Sequence, residues 1–140
     1  IVKGVVNDMK VPAEKRNIKV AYGFEEMCVI GNKDMLREVA ENLITNAVRY
    51  NNDGGHVWVY VGFKDNKKVL SVRDDGIGIP KEDQERIFER FYRVDKGRSR
   101  ATGGTGLGLA IVKHILDLHE AKINLDSDIG KGTEITVSFR

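Results

Sequence analysis

The chain of 140 residues has few of the residues that stiffen or cross-link small proteins: it contains two prolines and a single cysteine, Cys28. A lone cysteine cannot form a disulfide within the chain, which agrees with a reducing compartment. The chain has no signal peptide and no apolar run long enough to span a bilayer, so we expect a soluble polypeptide. Because it begins at Ile1, inside a predicted helix, we interpret it as a fragment of a larger protein.

An excess of charge of either sign is also lacking, since 23 basic residues face 21 acidic ones. Composition therefore gives no reason to expect a nucleic acid or a membrane surface as partner. With 41% hydrophobic residues, the chain is long enough for one domain with its own core, which we place at residues 1–140.

The spacing of apolar residues predicts helices over residues 1–16, where Pro12 interrupts the pattern, 33–50 and 107–118. Strands are predicted at 18–22 and 27–30, with a turn at Gly23, at 57–63 and 69–74, and at 122–126 and 134–139. Because strands occur mostly in adjacent pairs, an α+β two-layer sandwich is favoured over a parallel βαβ fold. The stretch 93–105 lacks periodicity and is predicted to be a mobile loop.

The helix 33–50 carries a polar stripe beside its apolar one. At about 100° per residue, Asn42, Asn46 and Arg49 lie along one flank of the core positions. Asparagine oxygens are hard ligands that suit Mg²⁺, which binds few protein groups and keeps water and phosphate oxygens in its shell. An ordinary solvated helix face remains the alternative.

A buried carboxylate is predicted at the end of the strand 69–74. Asp74 lies on the same face as Leu70 and Val72, so it points toward the core and needs a hydrogen-bond donor. An adenine amino group or a backbone amide of the following turn would each supply one. Gly76 and Gly78 then allow a tight turn and a close approach to a ligand.

A second glycine-rich segment, residues 103–108, leads directly into the helix 107–118. Free amides at a helix N-terminus form a natural seat for phosphates, although no Walker-type lysine follows these glycines. The adjoining residues 86–100 contain six basic and two acidic residues, so the one locally positive segment abuts the candidate phosphate loop.

Taken in order, these blocks resemble the N box, first glycine box, F box and second glycine box of the catalytic ATP-binding domains of sensor histidine kinases. The resemblance runs from Gly31 through the turn 130–133. It implies an α+β sandwich in which three helices cover one face of a mixed five-stranded sheet, with ATP held under a lid.

The resemblance also implies roles for individual residues. Asn46 would ligate Mg²⁺ with help from Asn42, Arg93 would meet the terminal phosphate, and Phe88 and Phe91 would anchor the lid. Asn42 and Arg93 are thus the implied catalytic residues. The implied ATP-binding residues are Asn46, Arg49, Tyr50, Asp74, Gly76, Gly78, Ile79, Tyr92, Arg93, Gly104, Thr105, Gly106, Leu107, Gly108, Leu109 and Thr133.

Two departures from the family pattern stand out. Arg49 replaces the usual lysine, and His119-Glu120-Ala121 replaces the common His-Gly-Gly, which puts the turn after the last helix in doubt. The phosphoacceptor helices are missing, and we expect structural roles for His56, His114 and His119. The implied partners are those helices of a parent kinase and, indirectly, a response regulator. The implied location is the cytoplasmic side of a membrane-anchored parent.

Three alternatives stay open. A related ATPase of the gyrase or chaperone type would place a glutamate at the position of Asn42, while Glu38 and Glu41 lie off the polar stripe. A serine kinase of the anti-sigma type is disfavoured by the long lid and by the block Phe91-Tyr92-Arg93. A nucleotide-binding interaction module without catalysis is the third.

Overall fold

The structure is a computed structural model that describes residues 1–90, 92 and 108–139. In chain order its elements are α1 Val2–Asp8, α2 Lys10–Glu14, β1 Lys19–Phe24, α3 Lys33–Arg49, β2 His56–Lys64, β3 Lys67–Asp74, α4 Lys81–Gln84, α5 Gly108–Leu118, β4 Lys122–Asp128 and β5 Gly132–Phe139. Within the described ranges, no helix combines the length and the apolar character needed to cross a bilayer.

The strands form one mixed five-stranded sheet, as the family resemblance implied, and their order is β1-β2-β3-β5-β4. Only β1 and β2 run parallel in this sheet, and the other neighbours are antiparallel. The hairpin between β2 and β3 closes with Asp65 and Asn66, whose φ angles of 52° and 64° are typical of a type I′ turn. The predicted α+β class is therefore confirmed.

One face of the sheet packs against the helices. Leu43 and Ile44 of α3 are fully buried in this layer, and both α1 and α5 contact α3. The core joins these helices to the inward residues of the strands, namely Val57, Val59, Leu70, Val72, Ile135 and Val137. This arrangement fixes α3 across the sheet, with its C-terminal end close to the end of β3.

The predicted strand at 27–30 is wrong. A strand there would require a chain reversal at Gly23, but Gly23 lies inside β1 and pairs in register with Tyr60 of β2. The chain leaves β1 at Phe24 and reaches α3 without joining the sheet. Alternation of apolar residues is too short in this segment to distinguish a strand from an irregular apolar connection.

The helix predicted at residues 1–16 is interrupted, but the break between α1 and α2 lies at Met9 and not at Pro12. Pro12 lies in the first turn of α2, where its missing amide costs nothing. The one-turn helix α4 was not predicted. The turn after α5 is regular despite the missing glycines, because Glu120 adopts a φ of 54° and the Ala121 amide donates to the Leu116 carbonyl.

Candidate functional site

A cavity of about 110 Å³ lies between α3, the end of β3 and the start of β5. Many of the sequence-predicted site residues line it, namely Asn46, Tyr50, Asp74, Gly78, Ile79, Tyr92, Leu109 and Thr133. The remaining lining residues are all apolar: Leu43, Ala47, Val72, Ile77, Ile87 and Ile135. The sheet and α3 thus converge on a mostly apolar pocket that contains a small number of polar groups.

Other predicted site residues lie near the cavity without lining it. Asn42 and Arg49 are half-buried on α3, Gly76 is buried in the turn after β3, and Gly108 begins α5. Further predicted residues, together with the predicted loop 93–105, lie outside the described residues: Phe91, Arg93, Gly104, Thr105, Gly106 and Leu107.

The helix α3 brings the two asparagines to the beginning of α5. Asn32 caps α3, since its Oδ1 accepts a 3.0 Å hydrogen bond from the Met35 amide. A Cβ atom built on Gly108 would lie 3.1 Å from Asn42 Oδ1 and 3.9 Å from Asn46 Nδ2. The amide stripe and the N-terminal end of α5 therefore lie next to each other.

Asp74 is the buried acid of the cavity, and its residue surface is only 8% exposed. The Gly76 amide donates to Asp74 Oδ1 at 2.9 Å, and Thr133 supplies a second backbone hydrogen bond. The pKa of Asp74 is raised to about 6, chiefly by burial, with the two amides opposing the rise and the neighbouring Asp75 adding to it. The carboxylate is therefore costly to hold without a further donor at neutral pH.

The turn after β3 can follow its path only with glycine at position 78. Gly78 has a φ of +74°, and a Cβ atom there would lie 2.0 Å from the carbonyl oxygen of Asp128. The β4–β5 connection thus supports the wall of the cavity directly. The sequence indicated this close approach, although it did not show that the supporting backbone belongs to β4.

Sequence reasoning missed the polar residues that hold this wall. Ser127 Oγ accepts from the Ile79 amide at 2.9 Å and also contacts the Thr133 hydroxyl at 2.8 Å. Gln84 Nε2 donates to the carbonyls of Ile79 and Ser127 at 2.9 and 3.0 Å. The signal for Ser127 was its inward position in β4, two residues after Leu125, where a polar residue needs partners.

A second polar network lies next to Asp74 on the side away from the cavity. Asp75 accepts from the His56 amide at 2.6 Å and contacts His56 Nδ1 at 3.0 Å, while the fully buried Asn51 donates to the His56 carbonyl. Burial raises the pKa of Asp75, but the hydrogen bonds from His56 and Asn51 outweigh it and lower the pKa overall. His56 therefore has a structural contact, as expected.

The described residues contain no group of three or more His, Cys, Asp or Glu side chains that could hold a metal ion. The candidate ligands for a hard cation are therefore the amide oxygens of Asn42 and Asn46, next to the N-terminal end of α5. This donor set fits Mg²⁺ when phosphate oxygens and water complete the shell, because Mg²⁺ is rarely held by protein groups alone.

Comparison with known proteins agrees with this geometry. Residues 31–140 match the family described as histidine kinase-, DNA gyrase B-, and HSP90-like ATPases. The sensor histidine kinase WalK of Bacillus subtilis strain 168 is 50% identical over 110 residues, which cover 77% of this chain and 18% of that protein. The sensor-like histidine kinase SenX3 of Mycolicibacterium smegmatis is 44% identical over 143 residues, covering 99% and 36%.

A solved structure defines which part of such proteins the chain resembles. The catalytic domain of the histidine kinase ThkA superposes with a TM-score of 0.83 at 26% identity, covering 99% of this chain and 90% of that chain. The chain spans about a third or less of the two curated relatives but nearly all of this domain. The chain belongs to the family of histidine kinase-, DNA gyrase B- and HSP90-like ATPases, and over nearly its whole length it is similar to the catalytic domain of a histidine kinase.

Proposed function

We propose that this domain binds ATP with Mg²⁺ and donates the terminal phosphate to a histidine on the phosphoacceptor helices of its parent kinase. The observation that carries the proposal is a single cavity lined both by the buried carboxylate of Asp74 and by the amide of Asn46. One group suits a nucleobase amino group and the other suits a metal ion bound to phosphates.

Asp74 supports the choice of adenine. Its ionised carboxylate only accepts hydrogen bonds, and the exocyclic amino group of adenine donates them. Guanine presents a carbonyl oxygen at the equivalent position, so two acceptors would face each other in a buried site at a cost of a few kcal/mol. Apolar walls from Val72 and Ile135 suit the faces of the base.

Asn46 and Asn42 would hold Mg²⁺, which when bound neutralises negative charge on the phosphates. The N-terminal end of α5, at Gly108, lies next to both asparagines, and helix N-termini favour anions. We propose that Arg49 and Arg93 add positive charge near the phosphates. Tyr50, Ile79, Tyr92 and Thr133 would contact the nucleotide from the cavity wall.

Phosphoryl transfer to a protein is favoured over hydrolysis, because Asn42 occupies the helical position where the related ATPases carry a glutamate. An amide cannot accept the proton of an attacking water molecule. Glu41 contacts Arg37 at 3.4 Å on an exposed face, and neither lines the cavity. The nucleophile therefore has to come from another domain, and a response regulator would receive the phosphate only in a later step.

The proposal is tested by calorimetric titration of the chain with ATP, with and without Mg²⁺. Asn46→Ala is expected to remove most of the metal-dependent gain in affinity, whereas Asn124→Ala on the exposed side of β4 serves as a matched control and is expected to leave it unchanged. Identical metal dependence in the wild type and in Asn46→Ala would refute the assignment of the metal site. Equal affinities for ATP and GTP would refute the assignment of Asp74.

A further inference from the structure

Arg16, in the connection between α2 and β1, directs its guanidinium at the C-terminal end of α3. Nη1 donates to the carbonyl of Arg49 at 2.9 Å and also to that of Val48, and Nη2 donates to the carbonyl of Asn51. The last carbonyls of a helix have no partner within the helix, and they carry the negative end of its dipole. One planar cation thus satisfies three carbonyls at the point where α3 ends.

Arg16 also contacts the loop that follows α3. Its backbone carbonyl accepts a hydrogen bond from the Gly54 amide at 3.0 Å, and its side-chain Nε contacts Asp53 at 3.0 Å. The Asp53 side chain is 78% exposed, so this ion pair contributes little on its own. The Arg16 side chain is only 26% exposed, so its charged hydrogen bonds to the three carbonyls contribute most of the stabilisation of the end of α3.

Tyr50 lies between the carbonyls that Arg16 binds, and its side chain lines the cavity. The Tyr50 carbonyl accepts from the Ile77 amide at 3.2 Å, and Ile77 also lines the cavity. A Cβ atom on Gly76 would lie 2.5 Å from the backbone carbonyl oxygen of Tyr50, so the end of α3 and the turn after β3 pack with no free space between them. A shift of the end of α3 would therefore move Tyr50 and the turn 76–77 together.

We propose that Arg16 is a positioning residue for the nucleotide site, which sets the wall formed by Tyr50 and Ile77 by fixing the C-terminal carbonyls of α3. This inference rests on the proposed function, because the cavity must be the nucleotide site. Arg16 does not line the cavity and lies before residue 31, where the family match begins, so the motifs of the family do not contain it.

The test compares the affinities of folded variants for two ligands, ATP with Mg²⁺ and adenosine. Arg16→Met keeps an apolar stem and removes the guanidinium, and we expect it to weaken both ligands by about tenfold, equivalent to the loss of one or two net hydrogen bonds. Arg16→Lys keeps the charge but lacks the planar fork, so it should recover part of the loss. We expect the affinities for ATP and for adenosine to fall by the same factor, because in the proposed complex the wall formed by Tyr50 and Ile77 contacts the base, which both ligands share.

Two control variants test whether the loss of affinity in Arg16→Met comes from the lost carbonyl contacts or only from the lost positive charge and ion pair. Arg37→Met removes an exposed arginine of α3 that pairs with Glu41, and Asp53→Asn removes only the exposed ion pair of Arg16. Both are expected to bind ATP and adenosine as the wild type does. All titrations are run well below the unfolding midpoint of each variant, and circular dichroism verifies that each is folded.

The outcomes distinguish the inference from the function on which it rests. A wild type that fails to bind ATP would overturn the proposed function. If the wild type binds, then unchanged affinity in folded Arg16→Met, or a loss for ATP but not for adenosine, would overturn the positioning role. If Arg16→Met does not fold, Arg16→Lys is used instead. An adenosine affinity below that of the wild type supports the positioning role, and an affinity equal to that of the wild type overturns it.

Discussion

Gly108, the first residue of α5, lies against Asn42 of α3: a Cβ atom on Gly108 would lie 3.1 Å from Asn42 Oδ1. That distance is shorter than ordinary van der Waals contact. The asparagine stripe and the glycine-led helix, which are distant in sequence, are therefore packed so closely that a single methyl group would disturb them.

Gly108→Ala is expected to lower the Mg²⁺-dependent affinity for ATP without lowering the stability of the fold. Alanine in place of glycine favours a helix by up to about 1 kcal/mol, so the unfolding temperature should stay unchanged or rise. The added methyl group should displace Asn42 and, with it, the candidate Mg²⁺ site, which lowers the Mg²⁺-dependent affinity for ATP. Thermal unfolding and calorimetric titration measure the two effects.

Gly4→Ala in α1 is the matched control for this substitution, because nothing lies within 4 Å of a Cβ atom at that position. It should raise the unfolding temperature without changing the affinity for ATP. If Gly108→Ala leaves metal-dependent binding intact, Asn42 and Asn46 do not form the cation site.

Binding of adenosine should weaken in acid because the pKa of Asp74 is raised to about 6 in the folded protein. In the proposed complex the adenine amino group donates to the ionised carboxylate, so affinity should be constant above this pKa and fall by up to about tenfold per pH unit below it. Adenosine has no phosphate that would titrate in this range. A pH profile that is flat between pH 7.5 and 5 would contradict the role of Asp74.

Asp74→Asn is expected to abolish this pH dependence, weaken adenosine binding and stabilise the fold at neutral pH. Between the unfolded pKa near 3.8 and the folded pKa near 6, the folded state binds more protons than the unfolded state. The free energy of unfolding therefore falls as pH rises through that window, by about 3 kcal/mol in total. Chemical denaturation of both proteins at pH 7 and pH 4.5 measures the difference.

His119 connects the end of α5 to the beginning of α3, which predicts a structural role. Its Nε2 accepts from the Asn32 amide at 3.0 Å, and its Nδ1 lies 2.8 Å from the Ile115 carbonyl. Since one ring nitrogen accepts and the other donates, the neutral Nδ1-protonated tautomer fits both contacts. His119→Ala is expected to lower the free energy of unfolding by about 1–3 kcal/mol.

His114→Ala is the control for this prediction, because His114 is exposed on the same helix. Its unfolding free energy should remain close to that of the wild type, as is usual for exposed positions. An acid-labile phosphate on His119 after incubation with ATP would contradict the structural assignment.

The sequence predicted the parts of the fold that depend on periodicity. The helix 33–50 and the alternation of Val57, Val59 and Val61 are long enough for their period to identify them, and both match the structure. The segment 27–30 is too short for such a test, and whether it joins a sheet depends on tertiary partners. The one-turn helix α4 likewise has too few residues to show a period.

The same limit applies to the site. Asn46 and Asp74 could be proposed from sequence because their side chains face the cavity from regular elements whose faces can be derived. Arg16 and Gln84 could not, because each donates to backbone carbonyls of a distant segment, and for Ser127 the sequence indicates an inward polar position but not its partner. Only the folded chain brings such donors and acceptors together.

The most direct test of the account is incubation with ATP labelled at the terminal phosphate, with and without phosphoacceptor helices of a sensor histidine kinase supplied as a separate protein. Phosphoryl transfer requires an attacking group held in line with that phosphate, and the amide of Asn42 cannot accept the proton of an attacking water molecule. The account predicts no self-labelling and only trace phosphate release by the chain alone, with weak labelling of the histidine on the added helices. Robust phosphate release by the chain alone, or an acid-labile phosphate on one of its own histidines, would contradict it.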